Sequence, residues 1–548
     1  MTVKFSIDGK TVEAEEGSSV MDAAREAGIM MPSMCYKKGH APQNSCLTCV
    51  VKVNGNPNAV PSCSRPVEEG LVVESETDEV RRVRKTALEL ILSDHVGDCY
   101  SPCSSVCPSH MEIPQMLRQV SQGDYKAAIN TVKRDIPFPG VMGRVCPEVC
   151  EGGCRRGSFD TYESICMVER FTSEQDMLSD TPYFPEIKPT KNKKVAIVGA
   201  GLSGLSAAYY LCIEGYQCTV YEKSNQLGGR VRAEFKEHEC PESVYKQEFS
   251  VFEKLNCEIL FGQNFGEDIR LEYLEENFDA IVIATGKQEE SYFTDMGFKV
   301  KAKKPVVDRK TLQSAKEKVF FAGIAVHGNK MNIFSIASGK NAAVSIDQFL
   351  QAKPLVGRDK RFNSRIGKMQ RDEIDTWMEK SINRHDRYEP ETKEGTPFSE
   401  SEKIGFTPEV AQLESARCLH CDCRAKDHCD LRDQSEYYDA SQKHYSGKIR
   451  PLSKMTEGDN LHLDAGKCLQ CGLCVQISED MNEPIGLAYR GRGFDTQIVV
   501  PFNESISKAL THSAKACIEA CPTGAIEFKE ELATYHNPFD KIEDVKLS

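Results

Sequence analysis

The placement of cysteine constrains this chain more than any other feature. His95, Cys99, Cys103 and Cys107 fall within HVGDCYSPCSSVCP, and Cys146, Cys150 and Cys154 follow in RVCPEVCEGGC, with Glu169 in VERF shortly after. Two groups that tight can supply thiolates to two iron–sulfur clusters, which accept and pass single electrons. Another group, Cys35, Cys46, Cys49 and Cys63, lies upstream, and more lie downstream. Of 24 cysteines, Cys166, Cys212, Cys218, Cys240 and Cys257 stand outside the groups and read as small buried residues.

Cysteines this numerous suggest disulfides in a secreted protein and metal in an intracellular one. The N-terminus, MTVKFSIDGKTVEAEEG, carries acidic residues where a signal peptide has an apolar run, so a cytoplasmic location is expected. Val195–Cys212 is free of charge and long enough to raise a membrane span. Its glycines and the strand-like segment after it fit a dinucleotide fold better. A net charge of −13 with no dense basic stretch argues against nucleic acid. At 548 residues the chain has room for about three to five domains.

Residues 3–14 alternate around Asp8-Gly9, a hairpin signal, and Ser18–Ile29 reads as a capped helix. Hairpin, helix and cysteine loop are the order of a β-grasp ferredoxin, expected over residues 1–78. Ten residues separate Cys35 from Cys46, where plant-type ferredoxins have four. That spacing resembles the [2Fe–2S] domain that opens the iron–sulfur subunit of respiratory NADH dehydrogenase and of NAD-linked iron hydrogenases. A structural zinc site is the alternative. Residues 74–93 carry a helical period leading into the next module.

DHVGDC resembles the opening of a cluster site of that NADH dehydrogenase subunit, one built from a histidine and three cysteines. From Cys103 to Glu169 the chain resembles the helical two-cluster domain of the glutamate synthase small subunit and of dihydropyrimidine dehydrogenase, expected over 79–180. Carried over by position, the resemblance implies one [4Fe–4S] cluster on Cys107, Cys146, Cys150 and Glu169. It implies a second on Cys99, Cys103 and Cys154, with His95 standing where the relatives have a further cysteine. The plainer readings make His95 an exposed helix-end residue and Glu169 a salt-bridge residue. Residues 171–190 read as a linker.

KKVAIVGAGLSGLSAAYYL then gives a strand, Gly199, Gly201 and Gly204, and a helix, with Glu222 ending the next strand. This fingerprint lets the backbone approach a pyrophosphate at a helix N-terminus while the acidic residue accepts from the ribose. Gly228, Gly229, Arg230, Gly286 and Gly323 resemble positions of the FAD domain of the glutamate synthase-like family, which implies an FAD-type Rossmann-like domain over 191–352. Two departures stand out: Ile324 replaces the family's flavin-binding aspartate, and the stretch from Gly286 to Val319 is too short for the family's NAD(P)H-binding domain.

Residues 353–410 read as a connector over a surface, with a short helix near Ile374–Ile382 and Trp377 as a packing anchor. Cys418, Cys421, Cys423 and Cys429, in segment 411–445, form a set for [4Fe–4S] or zinc, with His420 and His428 expected to face solvent. In 455–535, Cys468, Cys471, Cys474 and Cys521 form a bacterial-ferredoxin-like [4Fe–4S] set. A second cluster there would need ligands at Ser478, Thr511 and Ala514, none a thiolate, which leaves Cys517 over.

The expectation is a multidomain α+β protein with one [2Fe–2S] cluster, four [4Fe–4S] clusters and FAD, and with no catalytic residues of its own. The resemblance is a mosaic, with ends like NADH dehydrogenase and bifurcating-hydrogenase iron–sulfur subunits and a middle like glutamate synthase small subunit. It implies an electron-relay subunit between an NADH-oxidising FMN flavoprotein partner with its small [2Fe–2S] subunit and a terminal hydrogenase, a formate dehydrogenase or ferredoxin. The alternatives are a self-contained NAD(P)H-dependent flavin oxidoreductase and a zinc scaffold.

Overall fold

The computed structural model describes residues 1–328, 330–358, 362–367, 369, 373, 386–388, 405–445, 447, 456–457 and 460–528. The helix expected near 374–382, with Trp377, lies outside the described residues, as does most of the connector. No helix among the described residues is long and apolar enough to cross a membrane.

The N-terminal hairpin joins Thr2–Ile7 to Lys10–Glu15 through Asp8 (φ 49°) and Gly9 (φ 79°). Two successive positive φ values match the right-handed strand twist. The strand order in its mixed sheet is Lys10–Glu15, Thr2–Ile7, Val72–Glu74, Val50–Val53, Val60–Pro61. Helix Val20–Glu26 lies on it, and the Ser19 hydroxyl accepts from the Asp22 N–H at 3.0 Å. Phe5, Ile7, Met21, Val51 and Val73 form the core between them.

Helix Asp78–Asp94 leads to a bundle of short helices that includes Pro102–Val106, Ile113–Ser121, Pro139–Val145 and Ile165–Met177. The last runs into the start of the expected linker, because Phe171 and Met177 are buried in the bundle core. The charge-free run divides into strand Lys194–Val198 and helix Leu202–Ile213. That strand is central in a parallel five-stranded sheet, ordered Val319–Phe321, Ala280–Ile283, Lys194–Val198, Gln217–Glu222, Cys257–Phe261. Between Ile283 and Val319 the chain makes only helix Glu290–Thr294 and a hairpin of two-residue strands.

Near the C-terminus, Leu461–Leu463 pairs antiparallel with Ile526–Phe528, flanked by helices Leu473–Asp480 and Ala514–Ala520 and by a second hairpin. This module packs on the first one. Met34, Cys35, Cys46, Leu88, Leu92, Cys429 and Leu431 share one apolar cluster, with Leu469 and Cys471 against it.

Candidate metal centres and dinucleotide loop

The thiols of Cys35 and Cys46 lie 3.3 Å apart and those of Cys49 and Cys63 lie 3.6 Å apart, all buried. Asn44 and Leu47, both with positive φ, turn the loop so that its sulfurs face inward. The hydrogen bond with Cys35, with help from Thr48, holds the Cys46 thiol down at about 5, and that with Cys63 holds Cys49 at about 7. The same hydrogen bonds, with burial, push the partner thiols Cys35 and Cys63 up, so one sulfur of each pair is disposed to be the thiolate that binds metal.

In the middle of the chain the grouping differs from the expectation. Cys103, Cys154, Cys418 and Cys421 line one cavity, with Ser101, Pro102, Leu117 and Glu163. Cys99 instead neighbours Cys423 and Cys429: the Cys423 N–H donates to the Cys99 carbonyl at 3.0 Å, and the charges of Cys423 and Cys99 both bear on Cys429. Two tertiary features make the exchange. The chain bends at Asp422, which separates Cys421 from Cys423, and Arg118 grips the Asp422 carboxylate with two 2.9 Å hydrogen bonds. Lys426 adds 2.5 Å to Glu112 and 3.6 Å to Asp422. Despite burial, Arg118 and Lys426 hold Asp422 far below the usual carboxylate range. His420 does not face solvent as expected; burial keeps it neutral, at about 3, beside Arg118. The expected surface connector is also part of this site, for the Ser364 N–H points at the Cys99 sulfur at 3.4 Å.

His95 closes helix Asp78–Asp94, and its Nε2 lies 3.2 Å from where a Cβ on Gly97 would sit. The Lys467 side chain crowds the same spot. Burial opposes the Lys467 charge, yet Cys423, Asp464, Asp422 and Cys99 hold its ammonium protonated above the ordinary lysine range.

Cys107, Cys146 and Cys150 come together, and the sequence reading missed a companion. Cys166, 2% exposed, lies beside Cys146 and Cys150, whose thiols push its own well above the ordinary thiol range. It precedes Glu169 by three residues on helix Ile165–Met177, so the two share a face. That spacing is the signal that could have found it. Burial, with the Cys146 charge nearby, raises the Glu169 carboxyl well above its usual range. The thiols here are accompanied by more than one carboxyl: Glu169 and, within 4.8 Å of the Cys166 sulfur, Glu148 and Glu151.

At the C-terminal end Cys468, Cys471, Cys474 and Cys521 line one cavity. Cys517 is buried outside it, its thiol 3.7 Å from the Cys474 carbonyl. Where a second cluster would have sat, the Glu483 carboxylate accepts from the His512 and Ser513 N–H groups and from the Thr511 and Ser513 hydroxyls, at 2.6–2.8 Å. Burial opposes its charge, but those donors hold it at about 2. Cys212, Cys218 and Cys257 sit together within the parallel-sheet domain.

In the dinucleotide loop Gly199 has φ 103°, and a Cβ on Gly204 would lie 1.9 Å from the Gly199 carbonyl. No other residue fits there. Glu222 accepts from the Ala200 N–H at 2.7 Å and from Ser224. Gly228 bridges to Gly201, Gly286 has φ 77°, and the Gly323 N–H donates to Ser338 at 2.8 Å. Ile324 opens helix Ile324–His327, so an apolar side chain stands where the resemblance implies a flavin-binding aspartate. Arg230 donates to Asn332, at 2.7 Å, and Asn332 donates to the carbonyl of Val145, next to Cys146.

Residues 1–78 match the model of the 2Fe-2S iron-sulfur cluster binding domain, and residues 78–181 that of dihydropyrimidine dehydrogenase domain II, 4Fe-4S cluster. Residues 197–256 match an NAD(P)-binding Rossmann-like domain. The chain is 35% identical over 188 residues to the NADPH-Fe(3+) oxidoreductase subunit beta of Geobacter sulfurreducens, covering 34% of this chain and 28% of that one. It is 30% identical over 207 residues to the NADP(+)-dependent formate dehydrogenase subunit beta of Moorella thermoacetica, covering 34% and 29%. It is 32% identical over 200 residues to the glutamate synthase [NADPH] small chain of Halomonas elongata, covering 35% and 41%. The matches therefore span less than half the length of these relatives. Segment by segment, the chain is a mosaic of iron–sulfur oxidoreductase modules joined to a Rossmann-like dinucleotide domain.

Proposed function

We propose that this chain is an electron-relay subunit of an NAD(P)H-linked oxidoreductase complex. The observation that carries the reading is the convergence of thiols into sets, each suited to one iron–sulfur cluster, with neighbouring sets in contact. When bound, such clusters supply one-electron chemistry at potentials tuned by hydrogen bonds, charge and burial. The chain holds the ligands, desolvates them and sets charges such as Lys467 and Arg155 beside them. Arg155 pairs with buried Asp98 at 2.6 Å next to Cys154 and Cys421.

The candidate sets are Cys35, Cys46, Cys49 and Cys63 for [2Fe–2S], and four for [4Fe–4S]. These are Cys103, Cys154, Cys418 and Cys421; then Cys99, Cys423 and Cys429 with His95; then Cys107, Cys146 and Cys150 with Cys166 or Glu169; and Cys468, Cys471, Cys474 and Cys521. This reading keeps the number of clusters proposed from the sequence and exchanges members between two of the sets. The partners proposed are a nicotinamide-oxidising flavoprotein and a terminal oxidoreductase or ferredoxin. The dinucleotide loop is read as an FAD seat, with Gly199, Gly201, Gly204, Glu222, Gly228, Gly229, Arg230, Gly286 and Gly323 around the cofactor.

Iron and zinc analysis of protein purified without oxygen tests this. One two-iron and four four-iron clusters require roughly eighteen irons per chain; a zinc scaffold would hold zinc and almost no iron, and that result would end the proposal. The match to an NAD(P)-binding Rossmann-like domain favours a second reading, a self-contained NAD(P)H-dependent oxidoreductase. Tight NAD(P)H binding by the isolated chain, with bleaching of a bound flavin, would select it.

A further inference from the structure

We propose that the ligand sets are laid out as a fork: two arms, one at each end of the chain, meet at a junction formed by Cys99, Cys423 and Cys429. A single stem runs from there to the dinucleotide loop. This rests on the iron–sulfur reading above and deepens it.

The two arms lie side by side. Cys35 and Cys46 of the first arm share an apolar cluster with Cys429 of the junction, and Cys471 of the second arm packs on it. Cys46 is close enough for its charge to act on Cys471. Outside the cluster, His40 meets Asp480 at 2.9 Å and the Ala41 N–H donates to Gln476 at 3.0 Å, fastening the first cysteine loop to the helix that follows Cys471.

The second arm also touches the junction directly. The Cys429 sulfur is 3.7 Å from the carbonyl of Pro522, the residue after Cys521. A Cβ on Gly524 would lie 2.5 Å from the Cys423 sulfur, so only glycine lets the two loops approach. The Val96 N–H donates to the Gly466 carbonyl at 3.0 Å, and the side chain of Lys467, adjoining Cys468, packs on Gly97, two residues before Cys99.

The stem leaves on the other side. Asp422 alone separates Cys423 from Cys421, which lines the cavity shared with Cys103. The Cys107 N–H donates to the Cys103 carbonyl at 3.2 Å, which joins that set to the next. Val145, beside Cys146, is tied through Asn332 to Arg230 of the dinucleotide loop. Each arm also reaches the surface: Leu47, between Cys46 and Cys49, is 44% exposed, and Tyr489, which overlies Gly472, is 48% exposed. One electron entering from a reduced flavoprotein at one arm can thus reach either the stem or an oxidised ferredoxin at the other arm. The donor is oxidised by one electron, the acceptor is reduced by one, and no bond on the chain is made or broken.

The test is electron paramagnetic resonance of the full chain, purified without oxygen and reduced with dithionite. Microwave power saturation of the [2Fe–2S] signal is compared in unsubstituted protein, Cys521→Ala and Cys107→Ala. The fork predicts that Cys521→Ala, having lost about four irons, saturates at several-fold lower power, because a fast-relaxing neighbouring spin has gone. Cys107→Ala should leave the saturation unchanged. Unchanged saturation in an iron-depleted Cys521→Ala protein overturns the fork, as does an equal effect from Cys107→Ala. If Cys521→Ala does not fold, stepwise reduction of unsubstituted protein decides: splitting of the [2Fe–2S] signal as the neighbouring sites fill supports the fork, and its absence overturns it. Protein without iron would overturn the underlying relay reading instead.

Discussion

The thiols of residues 35–63 and those that meet at Cys103 build similar pockets by opposite means. In the first, one loop supplies Cys35, Cys46 and Cys49, the turn just past the neighbouring strand pair supplies Cys63, and a single small module holds both. In the second, Cys103 and Cys154 meet Cys418 and Cys421 only because a buried ionic clamp pins a distant segment to the helical bundle. A local site depends on its loop, whereas an assembled site depends on the tertiary structure of most of the chain. The assembled site should therefore fail first under perturbation.

The largest expected effect breaks the clamp. Arg118→Met leaves Asp422 buried with only Lys426 opposite, and removing one partner of a buried pair costs about 3–5 kcal/mol. Thermal unfolding with iron analysis should show loss of the assembled sites while the [2Fe–2S] signal survives. Equal loss of both would erase the contrast between the regions.

Next in size is the carboxylate that fills the lost C-terminal site. Glu483 is held at about 2, below an unfolded glutamate. Its stabilisation is complete above the ordinary carboxylate range and is lost as pH falls toward 2. Glu483→Gln should cost about 2–3 kcal/mol at pH 7. In denaturant titrations the gap from unsubstituted protein should close between roughly pH 4.5 and 2; a gap independent of pH would assign the cost to packing.

A smaller effect concerns tuning rather than folding. Lys467→Met removes a buried positive charge beside Cys99 and Cys423. The midpoint potential of that centre should fall by on the order of 100 mV, equivalent to about 2 kcal/mol per electron. Redox titration followed by paramagnetic resonance measures it, and the [2Fe–2S] potential should move less. Smallest of all, Ser19→Ala removes a helix cap at a cost of about 1 kcal/mol, confined to the N-terminal module. Hydrogen exchange should rise in residues 20–26 and stay level around Cys103.

How far the residue string could be read follows the same division. The set at Cys35 and the set at Cys468 are legible because each is nearly contiguous or carries a known spacing, and the structure gathers the same residues. The hairpin at Asp8-Gly9 and the strand–glycine–helix order at Gly199 are legible because short-range backbone geometry dictates them. The exchange between Cys99 and the Cys418–Cys429 run is not legible, since nothing near Cys421 says that Arg118 will seize the residue after it. Cys166 was passed over because a lone cysteine on a helix usually packs as a small apolar group. The gaps at Ser478, Thr511 and Ala514 argued against a second cluster, but not that Glu483 would fold back to satisfy the donors left there.

The contact between the first and last modules also bears on assembly order. Residues 1–94 emerge early in synthesis, yet Leu88 and Leu92 are covered by segments made more than three hundred residues later. At roughly 5–20 residues per second, the young module waits with an apolar flank open to solvent. On the proposed assignment, the set at Cys99 is complete only once Cys423 and Cys429, made more than three hundred residues later, have left the ribosome.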